Sequence, residues 1–186
     1  MIDGDLWWAG CYDSGVRTAD NIYLIGPMGA GKTTIGKILA RILGKEFHDS
    51  DKAIEEATGA SVNLIFEIEG EEGFRRRERD TIAHLTQLHD IVLATGGGAV
   101  LHEDNRRNLS EHGFVVYLLV PFAQLYQRTR LDRNRPLLRH PDPAKRLREI
   151  VTQRDPLYRA TADLILDTEH RTVRQIIETL QASIPS

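Results

Sequence analysis

Short apolar runs recur along the chain, each stopped by glycine, acid or proline. They are NIYLIG at 21–26, EFHDSD at 46–51, IVLATGGG at 91–98, FVVYLLV at 114–120 and DLILD at 163–167. Runs of this length that end in turn residues predict buried strands. Between them the period changes. Ile35, Ile38, Leu39, Ile42 and Leu43 fall three and four residues apart, the stripe of an amphipathic helix, and Gly44 is placed to end it. Further helical patterns cover 51–58, 62–68, 71–88, 103–111, 121–130, 143–155 and 171–182. The segment LDRNRPLLRHPDP at 131–143 reads as an Arg- and Pro-rich loop. Strands that alternate with helices predict an α/β fold, three layers deep, with helices on both faces of a parallel sheet. No internal repeat or low-complexity tract interrupts the pattern.

Composition narrows the function classes. With 186 residues the chain suits one domain and at most a small appendage. A net charge of -3 gives no overall argument for nucleic acid, so any basic site is local. One cysteine, Cys11, excludes an internal disulfide framework. No apolar run is long enough to span a bilayer, and MIDGDLWWAG lacks the basic start and apolar stretch of a signal peptide. A cytoplasmic protein with no membrane partner is expected. Residues 1–20 show no period and predict a flexible extension ahead of a domain over 21–186. Trp7 and Trp8 in it could pack on the domain or on a partner, and the pattern does not choose.

Gly26-x-x-x-x-Gly31-Lys32-Thr33 is a complete phosphate-loop signature. It follows a predicted strand and opens a strongly periodic helix, the context that gives such a pattern meaning. Glycines let the backbone turn its N–H groups inward around a triphosphate, and the helix start adds positive dipole. Lys32 would reach the β- and γ-phosphates, and the Thr33 hydroxyl would ligate Mg²⁺. This loop serves motors, switches and kinases alike, so it does not name an acceptor.

Ligands of open parallel sheets gather beyond the carboxyl ends of the strands. The second strand brings Asp49-Ser50-Asp51 there, and the third brings Gly96-Gly97-Gly98. Either aspartate could simply cap the next helix. Alternatively one holds the hydration shell of magnesium while the other orients a hydroxyl or takes its proton. Three glycines suggest a backbone surface that something approaches closely. Arg75, Arg76, Arg77 and Arg79 crowd one predicted helix. Glu71–Arg75 and Glu72–Arg76 have surface ion-pair spacing; an arginine turned into the site would clamp a carboxylate with two bonds.

GPMGAGKTTIGK, DSD, EGEEGFRRRE, LATGGG, RPLL and RDPLY stand in an order and spacing that resemble the shikimate kinases, over about residues 21–182. The resemblance implies a nucleoside-monophosphate-kinase-like fold with a five-stranded parallel sheet in the order 2-3-1-4-5. It implies transfer of the γ-phosphoryl group of ATP to the 3-hydroxyl of shikimate, in aromatic amino acid biosynthesis, by a monomer. Nucleotide binding would fall to Gly29, Ala30, Gly31, Lys32, Thr33 and Thr34, with Arg128 stacking on adenine. Arg135, in a lid at about 128–142, would close over ATP and stabilise the transferred charge. Asp49 would meet the metal through water. Asp51 would bind the shikimate hydroxyls and serve as the candidate base, Lys32, Asp51 and Arg135 forming the catalytic set. Arg75 and Arg154 would hold the shikimate carboxylate, and Gly97 would offer backbone to a ring hydroxyl.

Two rivals stand beside this reading. A related kinase for gluconate or a nucleoside monophosphate shares the loop, and gluconate also carries a carboxylate. A nucleotide switch would hydrolyse ATP slowly and bind a protein instead. No histidine falls at a metal-ligand spacing, so Mg²⁺ is expected only with nucleotide.

Overall fold

The computed structural model describes residues 20–130, 136–138 and 140–185. Its strands are β1 (Ile22–Ile25), β2 (Glu46–Asp49), β3 (Ile91–Ala94), β4 (Phe114–Leu119) and β5 (Leu164–Asp167). All described pairings are parallel, and the strands lie in the order β2-β3-β1-β4-β5. Both the strands and their expected order are as the pattern and the resemblance predict. The helices are α1 (Lys32–Leu43), α2 (Ser50–Thr58), α3 (Val62–Leu85), α4 (Glu103–His112), α5 (Phe122–Thr129), α6 (Pro143–Thr161) and α7 (Val173–Ser183).

The central strand β1 shows why the sheet is buried on both faces. Ile22 and Leu24 enter one core with Ile35 and Leu39 of α1 and Ile176, Ile177 and Leu180 of α7. Tyr23 and Ile25 enter the other with Ile82 and Leu85 of α3 and Leu109 of α4. Successive strand side chains point to opposite faces, so a strand covered on both sides must be apolar throughout. Helix α6 serves both cores, giving Leu147 and Ile150 to the first and Tyr158 to the second.

Three elements differ from the sequence expectation. Helix α6 runs on through Pro156 to Thr161 rather than stopping at 155. Proline costs a helix a hydrogen bond, but the turn beyond it carries the buried Tyr158 and Thr161. That burial outweighs the local cost. The two patterns at 62–68 and 71–88 form one element, α3, broken at Gly70 with φ 71° and ψ -176°. Finally, β2 ends at Asp49, and Asp51 lies in the first turn of α2. Asp49 is therefore the cap of α2 and Asp51 a residue of its first turn, not two positions of one strand.

Candidate active site

The carboxyl ends of β1, β2 and β3 converge, as the predicted sheet requires. After β1 the chain turns through Gly29 (φ 79°) and Gly31 (φ 92°), left-handed conformations that side chains disfavour. Gly31 occupies the cap position of α1, and among the described residues no side chain caps that helix. The first turn of α1 thus presents backbone N–H groups and dipole to an anion. Lys32 curls back over the loop, donating to Gly26 O at 2.7 Å and Pro27 O at 2.9 Å.

Asp49 does two jobs. Its Oδ1 accepts from the N–H groups of Asp51 and Lys52 and so caps α2. Its Oδ2 accepts from Thr33 Oγ1 at 2.7 Å. Buried Ser50 Oγ accepts from Gly96 N at 2.8 Å, which ties the end of β2 to the glycines after β3.

Each of those glycines is closely approached, and by a different partner. A Cβ on Gly96 would lie 2.5 Å from Asp51 Oδ1 and 2.7 Å from Glu78 Oε1. On Gly97 it would lie 3.1 Å from Met28 N in the phosphate loop, and on Gly98 it would run into the Arg75 guanidinium. The run Gly96-Gly97-Gly98 is therefore a floor on which carboxylates, loop backbone and guanidinium all rest.

Above this floor opens a cleft of about 470 Å³. It is lined by Asp51, Arg75, Gly97 and Arg154, all four of the residues expected to bind the acceptor. Val62, Phe66 and Phe74 form its apolar side. Arg75 pairs with Glu71 at 3.1 Å, the expected helical partner, and more tightly with Glu78 at 2.6 Å. Arg76 and Arg77 pair with Glu72 and Glu69 instead, and Arg79 with Asp80. Arg154 Nη1 donates to Gly97 O at 3.0 Å.

Electrostatics set these groups apart from surface charges. Burial holds the Glu78 carboxyl above its ordinary range, and Arg75 offsets this only in part. Burial also acts to lower Arg75, but the carboxylates of Glu78 and Glu71 outweigh it and keep the guanidinium firmly charged. Arg154 is pushed down, first by burial and further by the nearby charge of Arg75. Two partly desolvated guanidinium groups over one cleft favour an anionic ligand.

A second hollow, of about 620 Å³, flanks the phosphate loop. Gly29, Ala30, Gly31, Thr34 and Arg128 line it, together with Thr168 and Arg171 from the segment after β5. Arg128 Nη1 donates to Gly29 O at 3.1 Å. Arg135 and most of its loop lie outside the described residues, as do residues 1–19. Glu78, Thr168 and Arg171 join the two sites without having been expected there. Glu78 sits three residues after Arg75, a helical-neighbour spacing that could have flagged it.

The family model for shikimate kinase matches residues 28–185. The chain belongs to the shikimate kinase family. A shikimate kinase of Nitrosococcus oceani is 60% identical over 156 residues, 84% of this chain and 82% of that protein. One from Hahella chejuensis is 52% identical over 172 residues, covering 90% of each chain. Among solved structures, the shikimate kinase of Acinetobacter baumannii in complex with shikimate superposes with a TM-score of 0.85. It shares 49% identity, over 88% of this chain and 92% of that one. The fold expected of a shikimate kinase is thus the fold present here.

Proposed function

We propose that this protein transfers the γ-phosphoryl group of ATP to the 3-hydroxyl of shikimate, as a cytoplasmic shikimate kinase that works as a monomer with no nucleic-acid or membrane partner. The observation that carries the reading is the meeting of Asp51, Arg75, Gly97 and Arg154 on one cleft beside the phosphate loop. An acceptor carboxylate fits the Arg75 and Arg154 guanidinium groups, each able to give paired hydrogen bonds. Its hydroxyls then fall to the Asp51 carboxylate and the Gly97 peptide. Asp51 orients the attacking oxygen and can receive its proton. Gluconate carries no ring, and the apolar side made by Val62, Phe66 and Phe74 favours a cyclic acid.

On the donor side, the loop amides and Lys32 hold the β- and γ-phosphates, and Arg128 lies against adenine. Arg135 closes over the transferred group. Thr33 Oγ1 and Asp49 Oδ2, 2.7 Å apart, are hard oxygen donors of the kind Mg²⁺ takes, Asp49 through water. When bound with ATP, that ion supplies neutralisation of phosphate charge. The protein's share of the catalysis is positioning and preorganised charge, with water kept from the phosphoryl group.

Release of ADP, measured with shikimate, gluconate and AMP in parallel, tests the reading. Turnover with shikimate alone and a product heavier by one phosphoryl group are expected. Turnover with gluconate or AMP but not with shikimate overturns it.

A further inference from the structure

The Gly97 carbonyl accepts from two side chains, Arg154 Nη1 and the Tyr158 hydroxyl, at 3.0 and 2.5 Å. Tyr158 is 1% exposed and lies behind the cleft wall. The two donors thus meet on one oxygen, the phenol giving its proton to Gly97 O. Burial drives the phenol's pKa up to about 12, so it remains a neutral donor. The ring itself is braced from behind. It stacks on Tyr117 at 4.9 Å between centroids. The Tyr117 hydroxyl donates to Asp155 Oδ1 at 2.8 Å, and Asp155 Oδ2 accepts from Arg159 Nε at 2.7 Å.

Two consequences follow for the cleft. The 97–98 peptide is trans, so its carbonyl and the next N–H point in opposite directions. Anchoring Gly97 O from behind therefore fixes the direction of Gly98 N–H. Arg154 Nε is buried with no hydrogen-bond partner among the described residues, so contacts at the far end of the guanidinium decide how it is turned. We propose that Tyr158 is a positioning residue for the acceptor, its hydroxyl fixing the Gly97–Gly98 peptide and, through the shared Gly97 carbonyl, the Arg154 guanidinium. The inference rests on the reading of this cleft as the shikimate site.

Steady-state kinetics of Tyr158→Phe, Tyr117→Phe and Arg154→Ala test it. Both tyrosine variants keep their rings and hence the stack. Tyr158→Phe is expected to raise the KM for shikimate by about tenfold, through the lost hydrogen bond to Gly97 O. Its kcat and its KM for ATP should stay within about twofold of the parent. Tyr117→Phe deletes an equally buried phenol and is expected to leave the shikimate KM unchanged. Added to Arg154→Ala, Tyr158→Phe should cause much less than its own effect, because the two act together. If Arg154→Ala leaves the shikimate KM unmoved, the cleft itself has been misread. If Arg154→Ala raises it but Tyr158→Phe does not, only the role of Tyr158 falls. An equal rise in Tyr117→Phe would mark the effect as packing and overturn the proposal.

Discussion

Thr33 Oγ1 donates to Asp49 Oδ2 over 2.7 Å, joining the phosphate loop to the end of the second strand. The same aspartate caps α2 through its other oxygen. The capping and metal readings of Asp49 are therefore compatible, and substitution can separate them. Asp49→Asn keeps a good cap and should preserve Tm, while the Mg²⁺ concentration for half-maximal activity rises about tenfold. Asp49→Ala should in addition cost about 1 kcal/mol of stability. Thermal melts and a magnesium titration read the two effects independently. An unchanged magnesium requirement in both variants would leave Asp49 with the cap alone.

Arg75 is held between Glu71 and Glu78 and borders the cleft. Arg75→Ala should weaken shikimate binding by about 2–5 kcal/mol, the range for truncating one side of a buried charge pair. Nucleotide binding should survive. Calorimetry with each ligand checks both halves, and an unaltered shikimate affinity would remove Arg75 from the site. Stability should fall as well, since Glu78 would lose its nearest cation.

Glu78 is a buried carboxyl whose pKa is raised, foremost by desolvation. A raised acid supports the fold fully below its unfolded pKa, about 4.3, and loses that support as pH climbs through the folded value. Glutamine cannot ionise. The Tm of Glu78→Gln relative to the parent should therefore improve steadily as pH rises from about 4.3. A relative Tm that falls as pH rises would mean that Arg75 wins over burial.

Lys32 bonds two loop carbonyls and stands at the start of α1. Its replacement by alanine should abolish nearly all phosphoryl transfer, because little besides charge and placement drives that step. Shikimate binding, measured by calorimetry without nucleotide, should persist. Appreciable turnover in Lys32→Ala would displace the lysine from the donor site.

The legible parts of the molecule were those with a local signature. Strand and helix periods carry the sheet, and the phosphate loop names itself by glycine spacing. Gly96-Gly97-Gly98 announced that something lies close, but not that three different groups do. Glu78 has the spacing to pair with Arg75, but RRRE-type helices usually pair their charges in water, and nothing local says that this one residue turns inward. Tyr158 lay past a proline that reads as a helix end, so its place in α6 and behind Gly97 depended on tertiary burial. Thr168 and Arg171 reach the donor side only because β5 lies where the sheet order puts it.

The break at Gly70 divides this wall of the cleft between two stretches of chain. Val62 and Phe66 come from the segment before it, and Phe74, Arg75 and Glu78 from the segment after it. A bidentate clip from Arg77 to Glu69 spans the joint, while a Cβ at Gly70 itself would meet nothing among the described residues. Had the helix run straight, its 100° step per residue would have turned Val62 and Arg75 to nearly opposite sides. The elbow lets the Val62 and Phe66 part of the apolar wall be tuned apart from the charge. A lineage could reshape the ring-facing wall for a bulkier acid without disturbing the anchor that grips its anion.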